Sequence, residues 1–315
     1  MVIPVVHCFD NKFVIPAAVA FYSMLEHADS AYFYNLYVLH DNITEENQQK
    51  LKETIRKFKN CNLTFVNVQE KWGEAVKNLF NQTRCQGHYS KEIYYKFLLP
   101  QLFPQYDKVI LTDVDVVYED DISEDFVEFN VDEDYYLAGV KGLHKKGCWL
   151  DDFFAGYDRK FAKEEIKKML VWSGYLIYNL KRMRQDNLQQ IFFDFAAFNT
   201  ERIRQPEQDT INMVCYPQIK VLHPRAMVCS YQYDIWNGED YDRDMYYSAA
   251  DVERALRHPI QLHYACGAKP WNSLSCSKAD KWLDVLKLTP FYYDFVYGLI
   301  GKVEQYSDGG LCPPR

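Results

Sequence analysis

The stretch Val109-Ile110-Leu111-Thr112-Asp113-Val114-Asp115-Val116-Val117 constrains this chain more than any other. An apolar run of this kind reads as a buried strand, and it ends on two carboxylates one residue apart. Successive side chains of an extended strand point to opposite faces, so Asp113 and Asp115 are expected on one face with Val114 turned away. Two like charges so placed need a cation between them. Carboxylate oxygens suit Mn²⁺ or Mg²⁺, ions usually held by one or two carboxylates together with the phosphates of a substrate. A nucleotide or sugar phosphate is therefore the natural third party. Glu119, Asp120 and Asp121, just beyond, read as a solvated turn.

The same Asp-x-Asp pattern also fits a phosphatase of the haloacid-dehalogenase type, with Asp113 as nucleophile and Asp115 as acid. That chemistry wants the motif near the N-terminus and a small Gly-Thr-like continuation, whereas Val116 and Val117 follow here. It ranks second. A catalytically silent protein that binds a nucleotide sugar or glycan is the alternative outside enzymes.

The elements preceding the acidic strand predict a sheet that presents it to a ligand. Val2 to Cys8 is an apolar strand ended by Asp10-Asn11, and Pro16 sits in the first turn of the helix that follows. Leu36 to Leu39 is a second strand. Thr44 then caps a helix with Glu45 and Glu46 in its first turn and Leu51, Ile55 and Phe58 on one face. Leu63 to Val68 is a third strand, and the alternation implies a mostly parallel α/β sheet whose ligands bind beyond the carboxyl ends of its strands. Further on, residues 90 to 99 read as a helix running into Pro100 and Tyr135 to Lys141 as a strand. Residues 144 to 169 read as a helical insertion, Gly174 to Leu180 as a strand, 181 to 198 as one amphipathic helix, and Ile260 to Tyr264 as a late strand.

Composition narrows the class of ligand. Apolar residues make up 48% and aromatics 16%, which excludes a disordered chain and suits aromatic shelves of the kind sugar rings favour. With 36 basic and 44 acidic residues the formal charge is −8, so nucleic acid is not an expected partner and phosphate contacts must be local. The nine cysteines are scattered without C-x-x-C spacing, which argues against zinc and predicts reduced thiols in a cytoplasmic protein. N-x-[ST] triplets at Asn42, Asn62 and Asn81 matter only in a secretory compartment. No run approaches transmembrane length.

His263-Tyr264-Ala265-Cys266-Gly267-Ala268-Lys269-Pro270-Trp271 adds a histidine able to complete a metal site, a glycine that lets backbone approach a phosphate, and a lysine to charge-balance it. With the segments His7 to Asn11, Tyr94 to Pro100, Asp113 to Asp115, Ser173 to Leu180 and Glu207-Gln208-Asp209, in this order, the chain resembles glycosyltransferase family 8. These are retaining enzymes of GT-A fold, among them bacterial lipopolysaccharide galactosyl- and glucosyltransferases and glycogenin-like proteins. The resemblance implies a UDP-hexose donor, glucose or galactose, a glycan or lipid-linked sugar acceptor, and Mn²⁺ with Mg²⁺ as the alternative ion. It implies further that Asp113, Asp115 and His263 ligate the metal. His7, Phe9 and Asn11 would border the uridine. Asp113-Val114-Asp115, Lys96 and Ser173 would contact the nucleotide sugar, and Gly267 and Lys269 would cradle the diphosphate. Gln208 would support the oxocarbenium-like centre while Glu207 and Asp209 orient sugar hydroxyls; the competing reading is that all three cap a helix from Thr210 to Cys215.

The chain departs from the family's pattern in several places. Lys96 stands where Arg is usual, Trp172 where Asn is common, Phe9 where an acid is expected, and Glu207 where Asp is usual, while the glycine of the late loop comes one position late. The expected organisation is a GT-A transferase domain over 1–275 and an aromatic helical extension over 276–315. Acids balance the lysines of that extension, which favours core packing over a peripheral membrane contact.

Overall fold

The computed structural model describes residues 1–83, 89–142, 170–236, 246–265, 267–273 and 275–308. The chain opens with strands and helices in alternation: β1 (Val2–Cys8), α1 (Val14–Glu26), β2 (Phe33–His40), α2 (Glu45–Ile55), β3 (Cys61–Asn67) and α3 (Gln69–Gln82). Local chemistry sets the boundaries. The Asp10 side chain accepts from Lys12 N at 2.9 Å and turns the chain out of β1, and Thr44 Oγ1 accepts from Asn47 N at 3.3 Å to cap α2.

Next come a short helix α4 (Leu99–Leu102), β4 (Lys108–Thr112), β5 (Val116–Tyr118), α5 (Ser123–Glu128), β6 (Leu137–Lys141) and β7 (Val171–Asn179). They are followed by α6 (Leu180–Gln185), α7 (Leu188–Phe198), α8 (Pro206–Cys215), β8 (Ile219–Val221) and β9 (Val228–Cys229). Among the described residues the chain then forms α9 (Gln232–Ile235), α10 (Ala249–Arg257), β10 (Gln261–His263), α11 (Ala279–Leu286) and α12 (Tyr292–Asp308). The main sheet has seven strands in the order β3-β2-β1-β4-β7-β6-β8. It is mostly parallel, with β7 antiparallel to both its neighbours, β4 and β6. A second sheet of three strands runs β5-β10-β9.

Alternation along the strands sends side chains to opposite faces of the main sheet. Ile110, Tyr175 and Ile177 pack with α1, whereas Val109, Leu111, Leu176 and Tyr178 pack with the helices of the other face. Trp282 and Leu286 of α11 are fully buried in the core built around α1. Among the described residues no helix is long and apolar enough to cross a membrane.

Four sequence expectations need correction. Val109 to Val117 is not one strand: β4 stops at Thr112, and β5, from Val116, belongs to the smaller sheet. Residues 91–98 form a 3-10 helix and the chain passes through Pro100 into α4, since proline is tolerated in a first turn where its missing N–H has no partner to lose. The helix expected over 181–198 is two helices, broken at Asn187, whose φ of 52° is a left-handed conformation that asparagine tolerates better than most residues. The strand expected from Gly174 begins three residues earlier, at Val171. The helical insertion expected over 144–169 lies outside the described residues, as does Cys266.

Candidate active site

The Asp113-Val114-Asp115 segment carries the chain from one sheet to the other. Asp113 N donates to Gly174 O of β7 at 3.1 Å, and Asp115 O accepts from Tyr264 N, just past β10, at 2.9 Å. Gln261 Nε2, on β10, reaches Thr112 Oγ1 at 2.6 Å and ties the sheets together beneath this crossing. Val114 is buried in the core, its side chain turned away from the two carboxylates. The two carboxylates share a side because of this turn rather than because of strand periodicity.

Asp113, Asp115 and His263 each offer a ligand atom within 4.8 Å of the others. His263 Nε2 lies 3.1 Å from Asp115 Oδ1 and 3.8 Å from Asp113 Oδ2. Lys269 Nζ lies 2.5 Å from Asp115 Oδ2 and 2.5 Å from Tyr264 O. Burial disfavours the Asp115 carboxylate, but His263 and Lys269 outweigh it and hold its pKa well below the usual range. Gly174 makes the imidazole position available: a Cβ there would lie 2.5 Å from His263 Cε1 and 2.6 Å from Nδ1.

Behind the carboxylates lies a buried ion cluster. Lys96 Nζ is 2.8 Å from Asp113 Oδ1 and 3.0 Å from Glu207 Oε1, and it also donates to Ser173 O at 3.1 Å. Burial lowers the pKa of this amine, but the two carboxylates raise it further, so Lys96 stays charged. Ser173 Oγ donates to Glu207 Oε1 at 2.8 Å, and Ser173 N donates to Gln208 Oε1 at 3.0 Å. Gln208 Nε2 in turn donates to Gln205 Oε1. Ser173 is thus clamped on three sides by the start of α8 and by Lys96. Asp113, Asp115, His263, Lys269, Ser173, Glu207 and Gln208 line one cleft of about 270 Å³, together with Trp172, Gly174, Tyr89, Gln205 and Ala265.

Other expected site residues are placed elsewhere. His7 is fully buried, with Nδ1 3.2 Å from Thr112 O and its ring 4.8 Å from that of Phe21, and burial pushes its pKa down to about 3. Phe9 is a core side chain. Neither ring borders the cleft, because α1 closes over the end of β1. Asn11 Oδ1 accepts from Thr44 N at 3.1 Å and from Asn47 Nδ2 at 2.9 Å, which ties the loop after β1 to the start of α2. Lys96 reaches carboxylates rather than open cleft, so any effect on a sugar passes through Asp113 and Glu207. Asp209 is fully buried and its Oδ2 accepts from Arg204 N at 2.9 Å and Gln205 N at 3.1 Å. It serves the first turn of α8, as the capping reading has it for Asp209. That helix begins at Pro206, four residues before the expected start. Gly267 is exposed, with nothing within 4 Å of where a Cβ would lie. The acidic turn after β5 does more than meet solvent: Glu119 pairs with Lys281 at 2.9 Å and Asp120 with Arg225 at 2.5 Å.

Sequence reasoning missed the role of Gly174 under His263. A glycine inside a strand pattern often marks close approach of another group, and that was the available signal. Nothing local announced Tyr89 or Gln205.

Comparison with known proteins converges on the same site-bearing region. The model of the family described as Glycosyl transferase family 8 matches residues 4–275. General stress protein A of Bacillus subtilis (strain 168) is 23% identical over 281 residues, covering 85% of this chain and 87% of that protein. Glycosyltransferase GlyF of Streptococcus pneumoniae serotype 4 is 23% identical over 270 residues, and the matched stretch is 85% of this chain but 57% of GlyF. Among solved structures, the galactosyltransferase LgtC in complex with donor and acceptor sugar analogs aligns with a TM-score of 0.71 at 18% identity, over 91% of this chain and 96% of that one. The bifunctional WbbM in its apo form aligns with a TM-score of 0.67 at 22% identity, over 94% of this chain but 51% of WbbM, so the chain spans about half of that protein. At these identities the structural likeness is one of fold, the GT-A arrangement.

Proposed function

The chain belongs to glycosyltransferase family 8, and from that premise we propose that it moves a hexose, glucose or galactose, from UDP to a hydroxyl of a glycan or lipid-linked sugar, with retention at the anomeric carbon. The observation that carries this reading is the convergence of Asp113, Asp115 and His263 beside Lys269, at the edge where open α/β sheets bind ligands.

Two carboxylates and an imidazole nitrogen within 4.8 Å of one another fit a hard or borderline divalent ion. Mn²⁺, or Mg²⁺ in its place, held by Asp113, Asp115 and His263 would neutralise the diphosphate and ease departure of UDP. Lys269 adds a mobile positive charge: a diphosphate oxygen can take the place that Asp115 and Tyr264 O hold on Nζ. Glu207 and Gln208 meet the sugar with groups already oriented by Lys96 and Ser173.

Glu207 accepts from both Lys96 and Ser173, and Asp209 is spent in the helix turn. Neither is poised as a covalent nucleophile of the kind retaining glycosidases use. The reading therefore favours front-side attack. The acceptor oxygen bonds to the anomeric carbon as the bond to UDP breaks, and the acceptor's proton passes to the departing phosphate oxygen. Gln208 supports the developing positive charge at the sugar. The phosphatase alternative loses its ground, because family membership points elsewhere and Asp113 is tied to Lys96.

Calorimetry with UDP tests the metal assignment. Mn²⁺ is expected to tighten UDP binding by about tenfold or more, since diphosphate and carboxylates repel until a cation bridges them. Asp115→Asn removes that gain; equal affinity with Mn²⁺ and with chelator refutes it. Incubation with UDP-glucose and UDP-galactose, and separately with a phosphate monoester such as p-nitrophenyl phosphate, then separates the readings: release of UDP supports the transferase, release of phosphate from the monoester supports the phosphatase, and UDP-sugar binding without turnover supports a silent binding protein.

A further inference from the structure

We propose that Trp172 is the platform on which the acceptor's sugar ring stacks, an inference that rests on the transfer reaction above and names a determinant of its second substrate. Trp172 is the second residue of β7 and lines the cleft that holds Asp113, His263 and Gln208. Residues two apart on a strand share a face, so Trp172 lies on the same face as Gly174, against which His263 packs, roughly 7 Å along the strand. It thus walls the space next to the metal-ligating cluster.

Two neighbours fix the indole. A Cβ on Gly142 would lie 1.6 Å from Trp172 Nε1 and 2.4 Å from Cε2, so the ring fills space that only glycine leaves open. The Tyr231 ring lies 6.0 Å from it at an interplanar angle of 31°. A ring held in this way loses little conformational freedom when a ligand arrives, which favours binding.

Burial divides the cleft between two substrates. Ser173, Glu207 and Gln208 are buried and rich in hydrogen-bonding groups, which suits the hydroxyls of the donor hexose seated first. Trp172 is only partly buried and offers a flat apolar surface. Such a surface recognises the C–H face of a pyranose rather than its hydroxyls, and its partial exposure leaves it open to a second substrate once the buried polar groups are taken by the first. The acceptor class is therefore a neutral hexopyranose with one apolar face.

Saturation-transfer NMR with methyl α-galactopyranoside and methyl α-glucopyranoside, and transfer kinetics with the same sugars, provide the test on the full chain with UDP and Mn²⁺. Trp172→Ala is expected to abolish saturation of the ring C–H protons and raise the acceptor KM about tenfold, the size of one aromatic contact. Trp172→Phe restores most of both. Gly142→Ala, which displaces the indole without removing it, reproduces the loss. The proposal is overturned if Trp172→Ala leaves saturation and acceptor KM unchanged, or if the rise falls on the UDP-hexose KM alone. UDP release from UDP-glucose and UDP-galactose by the wild-type protein is followed alongside. Its absence, with sugar saturation still lost in Trp172→Ala, rejects the transfer reading and leaves the platform standing.

Discussion

Gly174 governs the candidate metal site without contributing an atom to it. Its missing side chain is the space in which His263 turns Nε2 toward Asp115. Gly174→Ala should force the imidazole aside and reduce the Mn²⁺-dependent gain in UDP affinity by about tenfold, with metal-free UDP binding much less affected, because one of three ligands moves off its position. A gain equal to that of the wild type, read by calorimetry, would show that the imidazole has room to adjust. At this scale the candidate metal-ligating residues were the most legible part of the sequence, since carboxylates at i and i+2 and a histidine before a Gly-Ala-Lys-Pro loop announce themselves one by one. The contacts among them were not: His263 and Asp115 lie 148 positions apart, and Lys96 and Glu207 lie 111 apart. The burial of His7 and Phe9 was not legible either, because a residue at the end of a strand can point under a helix as easily as into a cleft, and only packing decides.

Helix α8 carries Glu207 and Gln208 to the cleft, and its first turn is held by a side chain that reaches back. Asp209 accepts from the backbone N–H groups of Arg204 and Gln205, which a helix start otherwise leaves without partners. Asp209→Ala should lower stability by about 1 to 2 kcal/mol, the usual cost of a lost cap, and loosen the Gln208–Ser173 clamp. Urea unfolding measures this; an unchanged midpoint would mean that water replaces the carboxylate at no cost. The strand and helix alternation up to β3 was readable because hydrophobic period, caps and turn residues agree there. The break in Val109 to Val117 was not readable, because a switch from one sheet to another depends on which strand is waiting: Gly174 on one side and Tyr264 on the other. Periodicity reports burial and says nothing of the partner.

At the scale of the whole molecule, a buried lysine outside the cleft matters for stability. Lys141, at the end of β6, is 2% exposed, and among the described residues its Nζ has no hydrogen-bond partner. Burial pushes its pKa down to about 6 from 10.5. Between those two values the unfolded chain binds a proton that the folded chain does not, so this residue makes stability rise with pH across that window and its penalty is greatest toward pH 6. Lys141→Met should therefore stabilise the protein by roughly 1 to 3 kcal/mol at pH 7, and by less at pH 9.5. Thermal unfolding at both pH values is the check, and a gain that grows with pH would contradict the assigned sign. The crossing at Asp113 to Asp115 has a consequence on the same scale. Asp113 ends the large sheet and His263 belongs to the small one, so an ion gripped by both would add a rivet between two sheets already joined by a shared core and a few hydrogen bonds. Amide hydrogen exchange across β5 and β10 should slow when UDP and Mn²⁺ bind, by up to the factor 1 + [ligand]/Kd, while amides of β3 at the far edge keep their rates. Release of spent UDP would then be felt as a loosening between layers, so that turnover and the breathing of the two sheets share one equilibrium.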